Sequence, residues 1–127
     1  MFHVEHFANH KFSNQSIKAF LSLDHYKTFG ALTNDSQLIG YIVFTLAVDE
    51  ADIVFLGIHT QFRRQGLGSK LLNVPCGTFS ISKTSLEVSA QNVAAINMYR
   101  KNGFKVTSIR RGYFSNETDA LNMIRYY

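Results

Sequence analysis

The segment that most constrains this chain is Arg63-Arg64-Gln65-Gly66-Leu67-Gly68-Ser69-Lys70-Leu71-Leu72. It follows an apolar run over 53–58 that reads as a strand, and it opens a segment whose leucines recur at helical spacing. A strand, a short loop and a helix in that order form the first half of a parallel crossover. Gly66 and Gly68 carry no Cβ, so a ligand can approach the main chain of the loop closely. Main-chain N–H groups at such a helix start converge on an anion. Arg63, Arg64 and Lys70 add positive charge around that point. The loop therefore reads as a grip for a phosphate or pyrophosphate.

The chain has 127 residues, enough for one domain over 1–127. A hydrophobic fraction of 46% supports a packed core, and a charged fraction of 17% lies below a disordered profile. No apolar run approaches the roughly 18 residues needed to cross a bilayer. Met1-Phe2-His3-Val4-Glu5-His6 has neither the basic nor the apolar region of a secretory leader. The single cysteine, Cys76, excludes an internal disulfide and fits a reducing compartment. No histidine lies near it in sequence to activate it, so it reads as a structural or incidental thiol. Together these features predict a cytoplasmic protein. The net charge of +4 and pI of about 9.3 suit an anionic ligand, and they suit nucleic acid or a ribosome surface as well. The basic residues are scattered except at Arg63-Arg64 and Arg110-Arg111, so no polybasic tract argues for direct reading of nucleic acid.

The remaining elements follow from apolar periodicity and turn chemistry. Ser13 can cap a helix over 13–23, whose apolar face is Ile17, Phe20 and Leu21. Strands are predicted over 27–33, 38–48 and 51–59, separated by turn clusters at Asn34-Asp35-Ser36 and Asp49-Glu50. The helix over 67–73 ends near Pro75 and Gly77. A strand over 84–89 sets Leu86 and Val88 on one face and Glu87 on the other. Asn92 then caps a helix through Lys101 with Ala95, Ile96 and Tyr99 as its buried stripe, and Gly103 stands where a C′ glycine belongs. Two strands, over 104–109 and 119–126, form an antiparallel pair around Asn116. The early strands are joined by short turns and so are antiparallel, whereas 51–59 and 84–89 are joined through a helix and so are parallel. The expected class is α/β, a mixed central sheet flanked by helices.

The glycine spacing separates the loop from two other phosphate grips. A dinucleotide fingerprint needs a third glycine, and its place is held by Leu71. A Walker A loop needs Gly-Lys followed by Ser or Thr, and here the order is Gly68-Ser69-Lys70 with the leading glycine absent. The pattern that remains, Arg-x-x-Gly-x-Gly after a strand and before a helix, resembles the acetyl-coenzyme A loop of the GNAT N-acetyltransferase superfamily. The stretch Leu86-Glu87-Val88 through Asn92, Tyr99 and Gly103-Phe104 resembles the second half of the same fold. With Ile109-Arg110-Arg111-Gly112-Tyr113-Phe114, it is most similar to the bacterial ribosomal-protein-alanine N-acetyltransferases within that superfamily. The similarity is strong over roughly 38–127 and weak before that.

The resemblance implies an acetyl-CoA-dependent enzyme that uses no metal and acetylates a protein N-terminal amine. The main chain of Leu56, Gly57 and Ile58 would bind the pantetheine arm and hold the thioester. The pyrophosphate would lie on Arg63, Arg64, Gln65, Gly66, Leu67, Gly68 and Ser69. Asn92 would contact the pantetheine arm, Tyr99 would protonate the departing thiolate and Glu87 would act as general base. These residue types suit the chemistry. An α-amino group has a pKa of about 7.7–8.0 and is mostly ammonium near neutrality, so a carboxylate is needed to take its proton. A phenol can give a proton to a leaving sulfur, and main-chain N–H groups can stabilise the oxyanion. Each residue also has a plainer reading: Tyr99 as core, Glu87 as a solvated strand residue, Asn92 as a helix cap, and Arg63 and Arg64 as a solvated face. Two other functions stand beside the first: acetylation of a small amine, and a truncated, non-catalytic acyl-CoA-binding or ribosome-associated module.

Two departures from the family pattern are visible. Members begin with a strand and a helix before the helix at 13–23. Here the N-terminus is shortened, with only residues 1–9 to supply a fragment of that strand. The stretch between Gly68 and Glu87 is also short, which predicts a truncated helix after the loop. His3, His6 and His10 have a spacing that could gather metal ligands on a helix, but no metal site is expected. His25 and His59 are isolated, and His59 reads as packing.

Overall fold

The computed structural model describes residues 2–6, 26–115 and 118–127. Seven strands among these residues form one sheet in the order β1-β2-β3-β4-β5-β7-β6: β1 Phe2–His6, β2 Tyr26–Thr33, β3 Leu38–Ala47, β4 Glu50–Ile58, β5 Lys83–Ser89, β6 Lys105–Ser115 and β7 Thr118–Tyr126. β4 and β5 are parallel, and every other neighbouring pair is antiparallel. The helices are α1 Leu67–Leu72, α2 Val74–Thr78 and α3 Val93–Lys101, with a 3-10 turn at Thr60–Phe62 before the glycine loop.

The strands, the parallel crossover and the closing hairpin are those expected from the sequence, with three differences. First, Phe2–His6 is a strand that pairs along its whole length with β2, from Phe2 opposite Thr33 to His6 opposite Phe29. The N-terminal fragment thus completes the edge of the sheet. It also places His3 and His6 in a strand, so they do not have the helical spacing that would gather them. His10, His25 and the predicted helix over 13–23 lie outside the described residues. Second, Pro75 does not simply end the preceding helix. It sits in the first turn of α2, where its missing N–H has no partner to lose. Third, β6 runs on to Ser115, beyond the expected end at 109. Its register against β7 shifts between Arg110 and Ser115, an irregularity that alternation of apolar residues does not reveal.

One face of the sheet carries the main core. Ile42, Phe44, Ala51, Ile53, Leu86, Val88 and Met123 meet Leu67, Leu71 and Leu72 of α1 and Ile96 and Tyr99 of α3. Phe29 stacks on Phe44 at 5.9 Å, and Phe79 closes the far end edge-on to both rings. A smaller cluster of Leu32 and Val43, with Tyr26, Leu38 and Tyr41 against it, forms on the opposite face. α3 ends in a Schellman motif: Gly103 N–H donates to Arg100, Phe104 N–H donates to Tyr99, and Gly103 has φ +89°. The motif turns Phe104 back onto the helix that carries Tyr99, with the two rings 6.1 Å apart. Phe104→Ala should therefore lower stability by about 3–5 kcal/mol through the cavity it leaves, read as a fall in the denaturant midpoint.

Candidate active site

The sheet comes apart between its two parallel strands. β4 and β5 pair only from Glu50–Ile53 against Lys83–Leu86. The partners Val43–Phe55 and Phe44–Ile53 leave Val54 as an extra residue in β4, a bulge at the point where pairing with β5 stops. A bulge bends its strand and increases its twist, so the C-terminal half of β4 diverges from β5. The resulting cleft, about 260 Å³, is lined by Ile53, Val54, Phe55 and Leu56 on one side and Leu86, Glu87, Val88 and Ser89 on the other, with Asn92 and Tyr99.

The antiparallel ladder decides which peptide groups face this cleft. His59 N–H donates to Ile39 on the β3 side, so by alternation Gly57 also turns its peptide groups toward β3. Leu56 and Ile58 turn theirs the other way, toward the open edge. Of the three residues expected to hold a thioester arm, two thus present main chain to the cleft. Gly57 serves differently: a Cβ there would lie 2.6 Å from the Tyr41 ring. Arg63 folds back from the loop, and its Nε donates to the Ile58 carbonyl at 3.3 Å.

Tyr99 and Glu87 reach the cleft from opposite faces of the sheet. Tyr99 descends from α3 on the core face and is only 9% exposed. Burial raises its phenol pKa above the ordinary value near 10, so it carries its proton at neutral pH. Glu87 lies on the other face, opposite Asn122 of β7, and its carboxylate meets Arg110 at 2.9 Å. Asn92 caps α3, accepting from the Ala95 N–H at 3.2 Å through its side-chain oxygen. That leaves the amide NH2 of Asn92, at the cleft lining, available as a donor.

The glycine loop follows the end of β4. Arg64 and Gly66 both have left-handed backbone, at φ +62° and +81°, and Gly66 is the N-cap of α1 without a side-chain cap. The first helical bond runs from Lys70 N–H to Gly66, so the N–H groups of Leu67, Gly68 and Ser69 have no partner within the helix. The two glycines do different work. A Cβ on Gly66 would meet open space, whereas one on Gly68 would lie 2.5 Å from Met98 Sδ. At Gly68 the absent side chain also lets α1 pack on α3. His59 caps the 3-10 turn by accepting from Gln61 N–H and packs on Phe62, in keeping with a packing role. Cys76 is half-buried, with its sulfur 3.4 Å from the Asn73 carbonyl. Among the described residues no cluster of three or more His, Cys, Asp or Glu could hold a metal, and no helix is long and apolar enough to cross a membrane.

The chain is similar to known proteins in sequence and in fold. The family model described as an acetyltransferase (GNAT) domain matches residues 3–124. The chain belongs to the GNAT acetyltransferase family. Among its curated relatives is the ribosomal protein bS18 alanine N-acetyltransferase of Salmonella typhimurium, 34% identical over 86 residues, which cover 65% of this chain and 58% of that protein. The chain thus matches less than two thirds of that relative's length. An N-alpha-acetyltransferase of Sulfurisphaera tokodaii is 29% identical over 105 residues, covering 70% of this chain and 63% of that one. The crystal structure of the ribosomal-protein-S18-alanine N-acetyltransferase from Escherichia coli superposes with a TM-score of 0.84 at 26% identity, covering 99% of this chain and 94% of that one.

Reading from the sequence missed two features of this GNAT cleft. One is the Val54 bulge. Its trace is a phase slip in the buried residues of β4: Ala51 and Ile53 share a face, and so do Leu56 and Ile58, one residue out of step. The apolar Val54 and Phe55 between them conceal the slip. The other is Arg110, whose approach to Glu87 depends on a strand order that no local pattern contains.

Two outcomes are expected. Gly68→Ala should destabilise the protein by about 1–3 kcal/mol, and adding Met98→Ala should recover part of the loss, both read by denaturant unfolding. Tyr99 is neutral when buried, so its contribution is complete below pH about 10 and declines as pH rises past that value. Melting curves between about pH 9 and 11 should show the native protein losing stability faster than Tyr99→Phe.

Proposed function

We propose that this GNAT domain transfers the acetyl group of acetyl-CoA to a protein N-terminal amine, with a ribosomal protein beginning in alanine as the acceptor. The observation that carries this reading is the cleft between β4 and β5, with an acidic side chain entering from one face and a protonated phenol from the other. The residues present fit the donor. The main chain of Leu56 and Ile58 would hold the pantetheine arm in extended pairing, where β5 has withdrawn. The left-handed turns at Arg64 and Gly66, the free N–H groups after them and the loop arginines would hold the pyrophosphate. The Asn92 amide would donate to the arm between them.

The chemistry balances without an acyl-enzyme. The amine nitrogen attacks the thioester carbonyl as Glu87, directly or through water, takes the proton the amine sheds. A C–N bond forms and the carbonyl oxygen becomes an oxyanion, facing main-chain N–H groups of β4. The C–S bond then breaks, the electron pair leaves on sulfur, and Tyr99 supplies the proton that makes coenzyme A thiol. Burial of the Tyr99 phenol suits this role, because it keeps the proton in place until a base forms beside it.

The acceptor half is supported by the relatives: one carries bS18 alanine in its name and another the α-amino group. Acidic residues number 9 in all, few for a site that would gather a polycationic small amine. Coenzyme A release with short peptides beginning in alanine tests the proposal. Turnover is expected, and its absence with every N-terminal peptide would sink the acceptor. Tyr99→Phe and Glu87→Gln should each lower kcat by roughly 10²–10⁴-fold, and wild-type rates would remove those roles.

A further inference from the structure

Glu87 does not stand alone on its face of the sheet. Arg110 Nη2 lies 2.9 Å from Glu87 Oε1, although β7 runs between their strands. The register explains the reach. Ser89 and Arg110 both stand opposite Ala120 of β7, from its two sides, and Glu87 is two residues from Ser89 on the same face. Ala120 offers only a methyl group, so the long Arg110 side chain can cross β7 above it. The guanidinium also rests on the Tyr113 ring, 4.5 Å from its centroid. Gly112, between Arg110 and Tyr113, has φ +63° and donates its N–H to Asp119 Oδ1 at 2.9 Å, which pins the irregular part of β6. Arg110 is thus held by an aromatic face on a pinned strand and holds one oxygen of Glu87.

We infer that Arg110 is a positioning residue for the proposed base: it fixes the Glu87 carboxylate at the cleft while leaving the proton transfer to Glu87. The inference rests on the acetyltransferase reading above. A glutamate on a strand has three rotatable bonds and, unrestrained, spreads over several staggered rotamers, whereas a general base must lie within hydrogen-bond reach of the proton it removes. A partner that selects one orientation raises the rate without touching substrate, and a displacement of about 1 Å at such a group can cost on the order of 10²-fold. Its side chain is 60% exposed, and exposed ion pairs add little to stability, so orientation is the main consequence of the contact.

The test is a double-mutant cycle on the full chain, using acetyl-CoA and a peptide beginning in alanine. Arg110→Met keeps the aliphatic length. It should lower kcat by about 10- to 100-fold with KM for acetyl-CoA within about twofold, and leave the melting temperature near that of the native protein. Arg110→Lys should be intermediate, because it restores charge without the planar fork. Arg111→Met, which removes the same charge from the neighbouring residue, should leave kcat within about twofold. In a Glu87→Gln background, Arg110→Met should cost nothing further. An equal loss in both backgrounds, or a wild-type rate in Arg110→Met, overturns the inference. A wild-type rate in Glu87→Gln is a separate outcome that overturns the base itself.

Discussion

Everything at this site depends on β4 and β5 parting after four residues of pairing. Parallel strands ordinarily keep a row of slanted hydrogen bonds. Here Val54 is one residue too many for the ladder with β3, and the bend it imposes ends the row with β5 at Ile53 and Leu86. The strand edges beyond that point keep their polar groups turned into a space that no strand fills. An exposed edge invites an extended partner, and in this protein the partner we propose is the pantetheine arm of a substrate. The same parting lets side chains from both faces of one sheet meet at one place. Without it, Tyr99 and Glu87 would stand on opposite sides of a closed layer.

The flanking elements hold that opening in shape. α1 and α3 pack closely because Gly68 gives way to Met98, and the contact is reinforced by an amide bridge in which Asn102 donates to Ser69 and accepts from Asn73. Arg125 of β7 closes the bridge on Asn73 Oδ1. The helix carrying Tyr99, the helix that follows the glycine loop and the strand beside β5 are therefore tied by directional polar contacts as well as by apolar packing. Charge at the opening is arranged in the same spirit. Arg63 turns back to a carbonyl of β4, Arg110 crosses β7 to Glu87, and Arg111 stays with Asp119 on its own hairpin. A net charge of +4 is thus distributed as local pairs and loop cations, which suits a small anionic ligand better than an extended polyanion.

Much of this was legible in the residues. Alternation marked β2 to β5, the Asn92 cap and the Gly103 terminus bracketed α3, and the glycine spacing separated the loop from two other phosphate motifs. These features are local: caps, turns and amphipathic faces are set by neighbours within a few positions. The family likeness added Glu87 and Tyr99 as candidates, and the structure brings both to one cleft. Local preference did not reveal the edge strand at Phe2–His6, because its partners, from Phe29 to Thr33 in β2, are remote in sequence.

The amino-acid order alone was thus enough for the kind of protein: a mixed sheet with a parallel crossover and an anion-binding loop at its turn. Tertiary structure decided where the sheet opens, that Gly68 serves packing while Gly66 faces solvent, that Gly57 turns its peptide groups away from the cleft, and that Arg110 meets Glu87. The physical reason is one of range. Dihedral preferences and short-range hydrogen bonds act between residues close in the chain. The register of β4 between β3 and β5, and the path of Arg110 over Ala120, are set only when segments well apart in the chain, such as Glu50 and Lys83, have paired.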